Sequence, residues 1–596
     1  MTRVLSRWLV ERGGLVALVA LSLYVWVAPN HLSSGDNAEF ATLGNIGGAA
    51  HPTGYPLYLL WLRAWSWLPV EPAHAMALAT CLLGAASLLV LHAACRAWGA
   101  TATAASLAVA MLAGVPVIVR LHSEAEVFAL NGLVAGAVLW LAAEGGPLRG
   151  LPRALALGMV AGLGLANHVT CVLLAPIGLF GVVQASRETA RPRAGLLVLG
   201  AAVGGLCVGL TPYAYLLITP ETRGSWGKID GLGELVRHFL RMDYGGPGEL
   251  AAVDRGGTPG DNVAFLFASH FRGWLWAPFA LGVVVLAARC LGRGLTRLSH
   301  VAWILLTVSW LLAGVGLVSR FNLPPRGVHA FITQRFHMLP LIVFAIPVAI
   351  GFDEVGKRLA ALRHFNVARS PWARAVLSVL VMATLIAVAL PRITGARSPA
   401  IEQSLKNSLR TLPPNAVLIG TPDELNFGMA YLQGVLGERP DVTIIAWPQV
   451  GLAYARARIE RAIGVSIENL PPGSDEKLSV VVAAQVLATD RPLFIDPYQA
   501  NIATSYPIYP YGLLFRVLPR GTPPPSIEEL FAINEALYAR YEFGYPTPNT
   551  ADIVPANIHG HYARTWHVIA DGLGAAGKPE LQRRAMEMAL ALAPED

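Results

Sequence analysis

The sequence predicts a polytopic α-helical membrane protein of about eleven spans with a C-terminal extracytoplasmic α/β domain ending in a helical hairpin. Three observations predict the architecture. Hydrophobic residues make up 54% of the chain and charged residues 14%, with a mean hydropathy of +0.50, which excludes an ordinary soluble protein. Apolar runs long enough to cross a bilayer recur from the N-terminus to about residue 391. Beyond that point short apolar strands alternate with helical stretches.

The spans are expected at 14–30, 75–95, 103–120, 126–143, 154–168, 169–184, 196–218, 272–290, 301–318, 335–352 and 373–391. The pair within 154–184 is short and reads either as a broken hairpin or as one long span. The first run has the basic start and apolar middle of a signal peptide. No small-x-small cleavage site follows it, so it reads as an uncleaved signal-anchor.

Orientation follows from basic residues in the short loops. Arg3, Arg7 and Arg12 precede the first span; Arg149 and Arg153, Arg187, Arg191 and Arg193, Arg289, Arg293 and Arg297, and Lys357, Arg358, Arg363 and Arg369 fall in alternate loops. With eleven spans all these clusters lie on one side, which puts the N-terminus in the cytoplasm. Residues 31–74, 219–271, 319–334 and everything after 391 then lie outside. The basic pI of about 9.2 is a topology signal, and no nucleic-acid partner is expected. All five cysteines sit in or at the ends of apolar runs, which leaves no disulfide framework for the outer domain. Arginine far outnumbers lysine, consistent with a GC-rich bacterial genome and a bacterial inner membrane.

After residue 391, NAVLIGT, RPDVTIIAW, RPLFIDP and YGLLFRVLP read as strands, with DELNFGMAYLQGVLG as an intervening helix. This divides the chain into a membrane domain (1–391), an α/β domain (392–525) and a tetratricopeptide-like helical segment (526–596). A single such hairpin reads as a packing cap, since binding arrays need several stacked repeats.

No Walker A, GxGxxG after a strand, HExxH or GxSxG occurs, so the informative residues are polar ones at the outer membrane face. Asp36 and Glu39 are three apart, one helical face. They read either as an N-cap with its capping-box partner, or as catalytic carboxylates that take a proton from an acceptor hydroxyl or hold a divalent ion. His51 lies in HPTGYPLY, which two prolines and a glycine force into a turn; it either points toward Asp36 or is structural. LHSEAEVFALNG contributes His122, Glu124, Glu126 and Asn131, and Asn167 and His168 read as interhelical hydrogen-bonding groups. In SWGKID…LVRHFLRMDYGG, Arg237, His238 and Arg241 have helical spacing suited to an anionic headgroup, or to plain interfacial anchoring. Arg326, His329, Arg335 and His337 in RGVHAFITQRFHMLP violate the positive-inside bias, and anion binding is the simplest reason.

The ordered set GDNAEF, HPTGYPLY, SEAEVFALN, WGK…RHFLRMDYGG and QRF is similar to a widespread bacterial and animal membrane family. That family was long catalogued as a domain of unknown function. Its animal member is the transmembrane O-mannosyltransferase that modifies plexin-type receptor domains. The resemblance runs from about residue 10 to 350 and extends to NAVLIGTPDELNF…YLQGVLGERPDV. It implies a C-type glycosyltransferase fold, a polyprenyl-phosphate-linked sugar donor and an extracytoplasmic protein or glycan acceptor, with membrane lipids around the spans. Asp36 matches the essential acidic residue of the first outer loop and Glu39 the second carboxylate. Arg241 and Arg335 match basic positions suited to the donor phosphate. The expected substrate-binding set is His51, Tyr55, Glu126, Lys228, His238, Arg241, Tyr244 and Arg335. Thr53 stands where many relatives are expected to have a second proline. No cofactor is certain; two carboxylates leave Mg²⁺ or Mn²⁺ open without a full ligand set. A lipid or solute transporter and a non-catalytic envelope assembly protein are the rival readings.

Overall fold

The computed structural model of the chain describes residues 9, 11–244, 256–270, 275–292, 296–361, 371–394, 397–467, 477–548 and 553–594. Arg3, Arg7, Gly245, Gly246, Arg293, Arg363 and Arg369, used above, lie outside the described residues.

Each of the eleven apolar stretches is largely helical in its described part. Among the described residues five helices are long and apolar enough to cross a membrane, or six if one bent pair counts as a single span. The five are Pro72–Ala97, Val169–Glu188, Ala194–Ile218, Arg297–Gly316 and Gly327–Arg358. Other stretches form apolar helices of 10–17 residues, among them Gly14–Val27, Phe128–Ala142, Gly150–Leu165 and Trp276–Cys290.

Two departures from straight spans have causes in the sequence. The stretch expected as one span at 103–120 is two helices, Ala102–Ala113 and Pro116–Ser123, bent by 76°. Pro116 has no N–H to continue the first helix, and it holds Val115 in an extended conformation, φ −69°, ψ 128°. The Gly327–Arg358 segment tightens into a 3₁₀ turn at Arg335–His337. Pro340 follows closely; it cannot donate to the Phe336 carbonyl, and its ring crowds that carbonyl. The residues within 154–184 are two helices separated at Asn167 and His168, with Asn167 Nδ2 donating to the Val127 carbonyl at 3.2 Å.

Helices Gly150–Leu165 and Ala194–Gly209 pack backbone to backbone. A Cβ at Gly158 would lie 1.9 Å from the Ala202 carbonyl oxygen, and one at Gly205 2.1 Å from that of Leu155. Only glycine permits this approach, the usual device for helix association where lipid supplies no hydrophobic drive.

Five strands form one mixed sheet: β1 (Val417–Gly420), β2 (Thr443–Ala446), β3 (Leu493–Ile495), β4 (Ile508–Tyr511) and β5 (Leu514–Val517). The order is β2-β1-β3-β5-β4. β1 is parallel to β2 and β3, whereas β5 is antiparallel to β3 and β4. β4 was not among the expected strands; it makes a tight hairpin with β5 through Gly512 at φ 62°. The strands are apolar on both faces, as the period of two requires for a sheet covered on each side. Val417, Ile419 and Ile495 point into one core, while Leu418 and Phe494 face the other.

That second core is continuous with the membrane helices. Leu405 of the Ala400–Thr411 helix and Phe427 and Leu432 of the Asp423–Gly434 helix belong to the same buried cluster as Phe40, Tyr58 and Met338. The Ile553–Ala575 and Pro579–Leu592 helices pack on each other around Trp566, in a separate cluster with Phe531 and Tyr538.

Candidate active site

The first outer segment folds into a ten-residue helix, Asn37–Ile46, ended by Gly47 at φ 80°. Asp36 occupies its N-cap position, yet its side chain makes no capping hydrogen bond. Instead Asp36 Oδ2 accepts from Arg335 Nη1 at 2.9 Å, joining residues 299 apart in sequence. The same Nη1 is 3.3 Å from Glu126 Oε1, which also accepts from the Asp36 backbone N–H at 3.3 Å. Gly35 makes this possible. At φ 80°, a Cβ there would meet Glu126 Oε1 at 2.9 Å and Arg335 Nη1 at 3.2 Å.

Glu39 does not reach back as a capping-box partner either. Its Oε1 accepts from the His51 backbone N–H at 2.8 Å and its Oε2 accepts from His51 Nδ1 at 2.5 Å. On the far side of the ring, His51 Nε2 lies 2.8 Å from the Tyr55 hydroxyl. Glu39, His51 and Tyr55 therefore form one hydrogen-bonded chain, and the two acidic residues of GDNAEF each face a cation. The capping reading gives way to charge pairing.

The electrostatics follow from that pairing. Burial opposes ionisation of Asp36, but the Arg335 guanidinium, with His51 behind it, outweighs burial and holds the Asp36 carboxyl below its usual value. Burial would also push His51 down. Glu39, with Asp36 in support, prevails and raises the imidazole to about 9. The ring is then protonated at neutral pH, and Nε2–H donates to the Tyr55 oxygen.

The HPTGYP turn is held from outside. His238 Nε2 donates to the Ala50 carbonyl at 2.9 Å, and burial lowers His238 to about 4, so it works as a neutral staple. A Cβ at Gly54, φ 93°, would strike Leu216 at 2.6 Å and His238 at 3.2 Å. His238, expected to contact substrate, is thereby assigned to the turn. Lys228 is exposed and pairs with Asp230 at 2.7 Å, on the surface beside the cluster. Arg241 sits at φ 57°, its guanidinium 5.0 Å from the Tyr244 ring centre, and it pairs with no carboxylate among the described residues. Tyr244 in turn contacts Trp226, whose ring is 6.2 Å from that of His51.

Three participants were not singled out in the sequence. Arg120 is buried beside Glu124 and Glu126, with Nη2 donating to the Phe331 carbonyl at 3.1 Å and Nη1 left without a partner. Its signal was an arginine inside an apolar helix. Asp423 and Glu424, the first residues of the Asp423–Gly434 helix, arrive from the outer domain. That helix packs along Asn37–Ile46: a Cβ at Gly434 would lie 3.0 Å from Ile46, and Ala430 is close to Gly224. Burial raises the Glu424 carboxyl, partly offset by its own backbone amide and by the Arg335 charge.

Of the other polar groups, Asn131 Nδ2 donates to Thr170 Oγ1 at 3.0 Å, Thr170 bonds His168 Nδ1 at 2.7 Å, and His122 is buried against the Tyr24 ring. These knit helices together. Among the described residues no group of three or more His, Cys, Asp or Glu side chains is arranged to hold a metal ion, and Asp36 and Glu39 already face cations.

The site thus combines an anchored carboxylate, a protonated imidazole and an unpaired arginine at one end of a membrane helix cluster. Residues 36–191 match the family model described as the protein O-mannosyl-transferase TMEM260 N-terminal domain. Protein O-mannosyl-transferase TMEM260 of Mus musculus is 26% identical over 460 residues, covering 73% of this chain and 62% of its own length. Its counterpart from Dictyostelium discoideum is 23% identical over 354 residues, covering 54% and 42%. The chain therefore spans less than two thirds of the curated relatives it matches. ArnT from Cupriavidus metallidurans in the apo state superposes with a TM-score of 0.51 at 14% identity, over 85% of this chain and 96% of that one. At that identity the likeness shows a shared fold, in keeping with the C-type glycosyltransferase fold that the resemblance implied. The match to the TMEM260 N-terminal domain model is confined to residues 36–191, the stretch that holds Asp36, Glu39, His51 and Glu126.

Proposed function

We propose that this chain is an integral-membrane glycosyltransferase that moves a sugar, mannose by the name of its relatives, from a polyprenyl-phosphate donor to a hydroxyl of an extracytoplasmic protein. The observation that carries the proposal is the Asp36–Arg335 pair. The family match begins at Asp36, and Arg335 clamps that carboxylate at 2.9 Å at the edge of the helix cluster. Asp36 is 23% exposed at its side chain, so its free oxygen is available to an acceptor hydroxyl.

In the proposed reaction the acceptor oxygen attacks the anomeric carbon while the bond from that carbon to the phosphate oxygen breaks, its electron pair leaving with the polyprenyl phosphate. Asp36 orients the hydroxyl. Arg241, unpaired by any carboxylate among the described residues, stabilises the negative charge on the departing phosphate. Arg335, first assigned to that phosphate, acts instead as the clamp on Asp36. His51 adds positive charge nearby, and Tyr55 holds its far nitrogen.

The finer topology belongs to the same proposal: eleven spans, cytoplasmic N-terminus, and the cluster and sheet on the outer side of a bacterial inner membrane. The units would be 1–391, 392–525 and 526–596. The alternating basic loops support that orientation. Concentration of the ionisable cluster at one end of the helices favours a transferase over a transporter, whose coupling sites lie near the midplane.

The test is transfer from radiolabelled polyprenyl-phosphate sugars by purified protein in lipid, with Asp36→Asn and Glu39→Gln alongside. Donor-dependent release of polyprenyl phosphate that disappears in folded Asp36→Asn is expected. An undiminished rate in that variant, or no release from any donor by the wild type, overturns the proposal.

A further inference from the structure

We infer that Asp423, contributed by the outer domain, is the general base of the transfer, accepting the proton of the acceptor hydroxyl that Asp36 orients. The inference rests on the transferase reading above and divides its chemistry between two carboxylates.

The other acidic groups of the cluster are committed elsewhere. Asp36 is ion-paired to Arg335, which lowers its affinity for a proton. Glu39 is 1% exposed and bound by both the amide and the ring of His51. Glu126 is 1% exposed and shares Arg335 with Asp36. Glu424 is less exposed than Asp423. Asp423 differs on each count. Its side chain is exposed, and it forms no ion pair with a cation among the described residues. It begins a twelve-residue helix that is docked along the Asn37–Ile46 helix, so it stands within electrostatic reach of Asp36, Glu39, His51 and Tyr244.

Position gives the role its direction. The donor lipid enters from the bilayer, whereas an acceptor protein arrives from the outer side, and Asp423 belongs to the outer domain, at the start of the helix packed on Asn37–Ile46. In the step, the hydroxyl proton passes to a free oxygen of the Asp423 carboxylate as the acceptor oxygen bonds to the anomeric carbon. The bond from that carbon to the phosphate oxygen breaks with its electron pair, and the protonated Asp423, being exposed, returns the proton to solvent. Although the residue is exposed, desolvation by the neighbouring protein, with Asp36 and Glu424 close by, raises Asp423 to about 7, a basicity matched to neutral operation.

The experiment compares wild type, Asp423→Asn, Asp423→Glu and Glu424→Gln in lipid. It uses a radiolabelled polyprenyl-phosphate mannose, a threonine-rich acceptor peptide and a photoreactive polyprenyl phosphate to report donor binding. Asp423→Asn is expected to lose about 10²-fold or more in kcat with donor binding unchanged, and to lose the acidic limb of the wild-type pH–rate profile near pH 7. Glu424→Gln keeps that limb. If Asp423→Asn no longer binds donor, Asp423→Glu decides, and it must retain the limb. An active wild type whose Asp423→Asn variant keeps more than a third of the rate with the same pH limb overturns this inference alone. Absence of transfer by the wild type from any polyprenyl-phosphate sugar overturns the transferase reading and this inference with it.

Discussion

Replacing Arg335 with alanine removes the one cation that both Asp36 and Glu126 contact, at 2.9 and 3.3 Å. The arginine side chain is 12% exposed and that of Glu126 only 2%, so water cannot substitute well for the lost guanidinium. Breaking a buried ion pair from one side costs about 3–5 kcal/mol, because the remaining charge is left uncompensated. Here two carboxylates remain side by side, which pushes the cost to the upper part of that range. Proton uptake limits it, since neighbouring carboxylates can share a proton. The expected result is a loss of about 4 kcal/mol at pH 7.5 in reversible unfolding titrations in mixed micelles, with a smaller loss at pH 5. Arg335→Lys keeps the charge but not the planar fork, and falls between. An Arg335→Ala protein within 0.5 kcal/mol of wild type at pH 7.5, or one equally destabilised at both pH values, would refute the charge-pairing argument.

Three further outcomes are expected. His51 is raised above its usual value, so its pairing with Glu39 contributes fully below about pH 6.5 and is lost as pH rises through about 9. A fall in stability on the order of 3 kcal/mol across that window should be present in wild type and absent in His51→Gln, followed by the same micelle titrations. Gly35→Ala would put a methyl group against Glu126 and Arg335 at φ 80°, and should cost about 1–3 kcal/mol together with most of the transfer activity; wild-type stability in this variant would contradict the packing described. Arg241→Ala should raise the donor KM or lower kcat by about 10- to 100-fold, the worth of a charged hydrogen bond to phosphate. Lys228→Ala, on the exposed pair with Asp230, should leave steady-state transfer unchanged.

The helical stretches were legible because a bilayer imposes length and apolarity on each segment independently of its neighbours. The 76° bend at Pro116 was also written in the sequence, but a hydropathy window averages over one proline. The carboxylates of GDNAEF were found from their type and place; their true partners were not. Arg335 lies 299 residues from Asp36, and no local pattern encodes such a meeting. The bond that His238 makes was hidden for the same reason. A histidine three residues before Arg241 reads as one polar face, whereas its ring reaches back 188 residues to the Ala50 carbonyl. Asp423 and Glu424 sat in a quoted motif without a role, since an acidic pair at a helix start is ordinarily explained by the helix dipole.

The docking of the Asp423–Gly434 helix on Asn37–Ile46 bears on how such proteins can be recombined. Phe427 and Leu432 share a core with Phe40, so the boundary near residue 391 where hydropathy falls is not a seam in the packing. A chimera that grafts a foreign outer module after the last span discards part of the wall around Asp36. On the proposed transferase reading, an exchange meant to change acceptor choice has to leave residues 400–434 with the membrane half and begin beyond them.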